Sequence, residues 1–175
     1  YYYPGDELAD MQSRHDDIMS QNGGSVWVLD SLDEGSVFSG RLVYNKGAAI
    51  IHTLRFLIND DALFFEVLQT YQQTYANGTA HAADFKAVAE NVTGMDFTNY
   101  FNEWYYGEGY PTYSLEWNQI NSSVFIAVNQ TVSMPGVTPF FTNDLEIAIT
   151  DDNGNVTYHR LGDINGANSL HYLGF

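Results

Sequence analysis

The hydrophobic pattern of this chain changes period once, at Pro111, and that change constrains the fold more than any other feature. Before Pro111 apolar residues recur at helical spacing, as on helices with one buried face; after it they alternate with polar ones, as on half-buried strands. The expected fold is therefore α+β, with residues 1–110 helical and residues 111–175 a β unit. At 175 residues and 45% hydrophobic content the chain is long and apolar enough for one domain, or for one and a smaller second. That composition excludes an intrinsically disordered segment.

The helical part divides at recognisable stops. A first helix is expected from about Asp6 to Asn22, with Gly23-Gly24 ending it, and loop or extended chain follows through Val26-Trp27-Val28 and Asp30 to Gly35. Ile50, Ile51, Leu54, Leu57 and Ile58 share one face of the next helix, whose N-terminal part carries Arg41, Tyr44, Lys46 and Gly47. A Gly inside a helix costs about 1 kcal/mol relative to Ala, so Gly47 implies close approach of a neighbouring backbone. Asn59-Asp60-Asp61 caps a third helix bearing Leu63, Phe64, Val67, Leu68, Tyr71 and Tyr75. Thr79 or His81 begins a fourth, with Phe85, Val88, Ala89 and Val92, and Gly94 ends it. Asp96 caps a fifth, with Phe97, Tyr100, Phe101 and Trp104. In the β unit Tyr113, Leu115 and Trp117 alternate, as do Val124, Ile126 and Val128, then Leu145, Ile147 and Ile149, with Asn153-Gly154 as a hairpin signal. Sixty-five residues of strand are short for a sandwich, so the β unit is expected either to be truncated or to complete itself against the helices.

Charge and composition narrow the function classes. Six basic residues against 22 acidic give a net charge of −16, which repels phosphate backbones and anionic head groups and excludes nucleic-acid binding. The absence of Cys excludes disulfides, zinc ribbons and thiol nucleophiles. No apolar run reaches the roughly 18 to 20 residues that span a bilayer. The opening Tyr1-Tyr2-Tyr3-Pro4-Gly5-Asp6 lacks an initiator Met, and the expectation is a piece of a longer chain. Acidity and missing Cys lean toward an exported bacterial protein, periplasmic or extracellular.

Sites readable from residue types alone are few. His15, His52, His81, His159 and His171 are scattered, with no HExxH or HxH spacing, and read as ordinary surface or core residues. Asp151-Asp152-Asn153-Gly154-Asn155 has its Gly two places early for a calcium loop and reads as a hairpin turn. Asp163-Ile164-Asn165-Gly166 reads as a second turn. There is no phosphate cradle, GxSxG elbow or kinase signature. Triplets for N-glycosylation at Asn77, Asn91, Asn121, Asn129 and Asn155 are no more than an Asn-, Ser- and Thr-rich chain produces by chance.

Ordered short motifs carry more. Val43-Tyr44-Asn45-Lys46-Gly47-Ala48 resembles the Y-x-K-G-A helix of the M1 zinc aminopeptidases. Asn59-Asp60-Asp61-Ala62-Leu63-Phe64-Phe65 resembles that family's "GD-x-x-F" helix start, and Asp84-Phe85 with Ala89-Glu90 its "DF…AE" helix. Gly94-Met95-Asp96-Phe97 with Phe101-Asn102-Glu103-Trp104 resembles "SG-x-D-L…FF-x-x-W", and Gly109-Tyr110-Pro111 resembles the "G-x-P" leading into a β domain. Val128-Asn129-Gln130-Thr131 and Pro139-Phe140-Phe141 resemble early strands of that domain. Each piece is short; six in order over residues 37 to 145 are specific.

The resemblance implies the helical C-terminal half of a thermolysin-like catalytic domain followed by a small β-sandwich-like unit. It implies an enzyme that removes N-terminal amino acids from peptides, with zinc held by HExxH and a later Glu, and the substrate amino group held by GxMEN. None of those motifs occurs in this sequence, and in the family they lie N-terminal to the matched stretch. The chain is thus expected to lack the zinc site, to hold no cofactor, to be inactive alone, and to partner the missing N-terminal, zinc-binding part of the same chain through exposed apolar surface. Tyr44 matches the family's transition-state residue, a phenol that stabilises the developing oxyanion. Lys46 and Gly47 read as structural, and Arg41 as either salt-bridged or near the site. The alternatives are a non-catalytic binding module or an inactive relative.

Overall fold

The computed structural model describes residues 7–174. The chain is α+β and divides into two units, Tyr1–Gly107 and Glu108–Phe175, each with its own core.

In the first unit, α1 (Glu7–Met19) ends three residues short of the expected Asn22, and Asp6, its expected start, lies outside the described residues. The loop after it leads to a single turn, α2 (Glu34–Val37), whose N-cap Asp33 accepts from the Gly35 N–H. A π-helical turn (Gly40–Lys46) runs without a break into α3 (Gly47–Ile58). Ile50, Leu54 and Ile58 bury their side chains, whereas Ile51, expected on the same stripe, stays partly exposed.

Asn59 closes α3 in the left-handed region at φ 54°. Asp60 then caps α4 (Asp61–Thr74), its carboxylate accepting from the Leu63 N–H at 3.0 Å. His81 is the N-cap of α5 (Ala82–Thr93), and the Asp84 carboxylate returns to the His81 N–H at 2.7 Å. Gly94 ends α5 at φ 71°. The carboxylate of Asp96 accepts from the Thr98 N–H at the start of α6 (Thr98–Tyr100), which widens into a second π-helical turn, Phe101–Tyr105. The core of this unit joins Ile50, Leu54 and Ile58 of α3, Phe64 and Val67 of α4, Ala89 of α5, and Tyr100 and Phe101. Burial pushes the Tyr100 phenol well above its usual pKa, so it stays a neutral donor to the Ile50 carbonyl.

The second unit holds two antiparallel sheets. β1 (Pro111–Ile120), β2 (Ser123–Val132) and β5 (Asn168–Gly174) form one, with β2 central; β3 (Asn143–Thr150) and β4 (Val156–Ile164) form the other. The register runs from Pro111↔Val132 to Ile120↔Ser123 around a tight turn in which Asn121 takes φ 55°. Val124, Ile126 and Val128 face Leu161 and Ile164 across a shared core, so the arrangement is sandwich-like. Gly109 leads in at φ 86°, and a Cβ there would lie 2.5 Å from Ser133 Oγ; no larger residue fits.

The hairpin expected at Asn153-Gly154 is present: Thr150 pairs with Val156, and residues 151–155 make the turn between β3 and β4. Asp151 organises it, accepting from the N–H groups of Asn153 and Asn155 and from the Asn155 amide, bonds that lower the Asp151 pKa. One expectation changes: Leu115 and Trp117 are not in the core, Trp117 being 71% exposed. β1 pairs on one side only, and an apolar groove of about 380 Å³ separates Leu115 and Trp117 from Ile147 and Ile149.

A side chain substitutes for strand pairing beside β2. Gln130 is buried; its amide oxygen accepts from the Phe141 N–H at 2.6 Å and its nitrogen donates to the Phe141 carbonyl at 2.9 Å. Replacing Gln130 with Leu keeps the volume and removes both bonds. At about 1–3 kcal/mol for each buried bond that loses one partner, Gln130→Leu is expected to lower the stability of this unit by about 2–4 kcal/mol. Amide exchange across β2 measures this, and unchanged protection would show that the pairing adds nothing.

Candidate functional site

Tyr44 lies in the π-helical turn Gly40–Lys46 and is 55% exposed. The turn starts at Ser39, whose hydroxyl accepts from the Leu42 N–H and whose carbonyl accepts from both Val43 (2.9 Å) and Tyr44 (3.3 Å). The bond to Tyr44 spans five residues and is what widens the turn. Among the described residues the Tyr44 side chain has no hydrogen-bond or ring partner.

Its neighbours are fastened. Arg41 donates to the Ile18 carbonyl at 3.1 Å and to the Gly23 carbonyl at 2.9 Å, with Gln21 at 3.5 Å. These are carbonyls at the end of α1 and just beyond it, which a helix leaves without intrahelical partners. Among the described residues Arg41 caps backbone carbonyls, and it lies in the same π-helical turn as Tyr44. Asn45 accepts from Arg14 Nη1 at 2.9 Å and donates to Asp17 at 2.7 Å, both on α1. Lys46 is 3% exposed, and its Nζ donates to the Gly24 carbonyl at 2.8 Å.

Gly24 makes this approach possible. Its φ is 106°, and a Cβ would fall 2.8 Å from Leu42 Cδ2 and 2.9 Å from Arg41 Nη2. The next residue ties the loop on its other side, Ser25 Oγ donating to the Tyr105 carbonyl at 2.8 Å. Trp27 then packs edge-to-face on Tyr106, with centroids 5.3 Å apart. The sequence reading saw Gly23-Gly24 only as a helix stop and missed its part in holding Lys46. The signal available was a pair of Gly residues upstream of a Lys that interrupts an apolar helix, but pairing them requires the tertiary fold.

Gly47 requires another correction. A Cβ there would sit 3.9 Å from the Leu42 carbonyl oxygen and 4.0 Å from Val26 Cγ1, ordinary contacts, so no neighbouring backbone demands glycine. It borders an apolar cavity of about 170 Å³ whose walls include Val26, Ile50, Leu54, Phe85 and Tyr100.

The histidines do not converge. His15, His52 and His81 are exposed on separate elements, and His159 and His171 bond to Thr157 and Ser169 on their own strands. Among the described residues no group of three or more His, Cys, Asp or Glu is placed to hold a metal ion. No helix among the described residues is long and apolar enough to cross a membrane.

The sequence pattern of the peptidase family M1 domain matches residues 7–104, more than half of the chain and the whole stretch that frames Tyr44. The chain belongs to the M1 peptidase family. Its fold agrees: among 42 matching chains of solved structures is the crystal structure of Legionella pneumophila aminopeptidase A in complex with aspartic acid. That chain is 13% identical, with a TM-score of 0.66, and the match covers 87% of this chain and 17% of that one. This M1 chain thus spans about a sixth of the length of that relative, and at such identity the likeness is one of fold. Comparison with curated proteins finds no match.

The space at Gly47 gives a test of the junction between the π-helical turn and α3. Gly47→Ala removes the entropic cost of glycine in a helix and meets no clash, so it is expected to leave thermal stability unchanged or to raise it by up to about 1 kcal/mol. A loss of that size in a thermal melt would show that the junction does need glycine.

Proposed function

We propose that this chain works as part of an M1 zinc-dependent aminopeptidase, a hydrolase that removes N-terminal residues from peptides, and that Tyr44 is its transition-state donor. The observation that carries the reading is the combination at Tyr44: a phenol in the Y-x-K-G-A segment of an M1 domain, exposed, on a turn whose flanking residues are all tied down. Water attacking a peptide carbonyl puts negative charge on the carbonyl oxygen. A phenol O–H already aimed at that point stabilises the charge without reorganising.

Zinc, in this reading, is held by residues outside this sequence, and zinc chemistry activates the water there. The chain's own contribution is the donor and the frame that places it. Alone, with no ligand cluster among its described residues, it is expected to hydrolyse nothing. The apolar side chains left exposed between α1 and the π-helical turn, including Leu29, Leu32 and Phe38, suit docking against the zinc-binding part of the same enzyme.

Tyr44→Phe in the whole enzyme is expected to lower kcat by about 100- to 1000-fold, the usual cost of one oxyanion donor, with KM and zinc content unchanged. Steady-state kinetics on aminoacyl p-nitroanilides measure it. Wild-type turnover in that variant would remove Tyr44 from the mechanism.

A further inference from the structure

We infer that Lys46 is a positioning residue for Tyr44, acting through the Gly24 carbonyl, with Arg41 as a second tether to the same loop; this rests on the reading of Tyr44 as oxyanion donor. Among the described residues the side chain of Tyr44 has no hydrogen-bond or ring partner, so the hydroxyl is placed by its backbone alone. That backbone is a π-helical turn, in which the Tyr44 N–H shares the Ser39 carbonyl with Val43 through a five-residue bond of 3.3 Å. A turn of this kind needs external support to keep one geometry.

The support comes from one side. Arg41, Asn45 and Lys46 all reach α1 or the loop following it, and Tyr44 between them faces outward. Lys46 makes the inner connection, an ammonium buried to 3% exposure donating to the Gly24 carbonyl. Gly24 is held in turn by its neighbour Ser25, whose hydroxyl binds the Tyr105 carbonyl in the second π-helical turn. The path runs Tyr105, Ser25, Gly24, Lys46 and, through the backbone of Asn45, Tyr44; its hydrogen bonds are Ser25 to Tyr105 and Lys46 to Gly24, and the rest is continuous backbone.

A buried ammonium is a costly way to fill space, because it gives up water for a backbone carbonyl. A Met of similar length would fill the same volume at lower desolvation cost. The lysine at this place therefore supplies what packing does not: a directional bond that fixes the distance between the π-helical turn and the Gly24 loop. If that distance relaxes by about an ångström the phenol leaves the oxyanion, and such misplacement typically costs up to about 100-fold in rate.

The test is a double-mutant cycle in the whole enzyme. Lys46→Met is expected to lower kcat by about 10- to 100-fold with KM unchanged. In a Tyr44→Phe background the same substitution is expected to cause no further loss, because there is no longer a phenol to position. Lys46→Met with wild-type kcat, while Tyr44→Phe is impaired, would overturn the positioning role alone. Equal fold-losses by Lys46→Met in both backgrounds would also overturn it, since a general structural defect multiplies. Wild-type kcat in Tyr44→Phe would instead overturn the donor reading itself. Should Lys46→Met not fold, as judged by circular dichroism, Arg41→Met at the half-buried outer tether carries the same cycle, with the same non-additivity expected.

Discussion

The end of a helix leaves carbonyl oxygens without partners, and the helical unit is organised around where those oxygens go. α1 stops at Met19; the Ile18 carbonyl in its last turn, and those of Gly23 and Gly24 in the loop beyond it, face the π-helical turn. Arg41 and Lys46 take them. Because both cations sit in the turn preceding α3, satisfying α1 also fixes the start of α3, and α3 supplies Ile50, Leu54 and Ile58 to the core. Residue 24 takes φ 106°, a conformation that favours glycine, and a Cβ there would displace the ends of the Leu42 and Arg41 side chains. One backbone position thus couples the capping of one helix, the burial of a lysine and the placement of the exposed tyrosine.

The β unit solves a similar accounting problem with a side chain. β2 is central and pairs with β1 along its length, but with β5 only as far as Asn129, and the segment around Phe141 approaches it outside either sheet. Gln130 carries an amide at the end of its side chain with the same donor and acceptor as a peptide group, and it exchanges both bonds with Phe141 as a strand would. The opposite situation holds at β1, where no such substitute exists on the outer side. Leu115 and Trp117 consequently border a groove instead of a packed interface.

Much of this was legible in the residues. The change of period at Pro111 located the shift from helix to strand, and Asp60 and Gly94 marked helix ends because short polar side chains and glycine do local work that any tertiary context preserves. What could not be read were features set by distant partners. Gly47 suggested crowding, but the atoms around it leave ordinary contact distances. Arg41 offered a charge and the expectation of a carboxylate or a substrate, whereas its partners are carbonyls, which carry no sequence signature. The widening of the helix at residues 40–46 has none either, since every residue in it tolerates the α-helix.

For the proposed chemistry, the lack of a side-chain partner on Tyr44 is an advantage with a cost. A phenol already donating to a protein acceptor must break that bond to reach an oxyanion, and the exchange reduces the net stabilisation. A phenol with its donor uncommitted gives the full bond to the transition state, but its own contacts then do nothing to hold it. The burden of precision moves to the backbone, and from there to whatever grips the backbone. A widened turn frees the side chain to point outward between its anchored neighbours, and buried polar tethers on the inner side restore the stiffness that the widening removed. On this reasoning the rate should depend on Lys46 through geometry and on Tyr44 through charge, two dependences that share one transition state and cannot be lost twice.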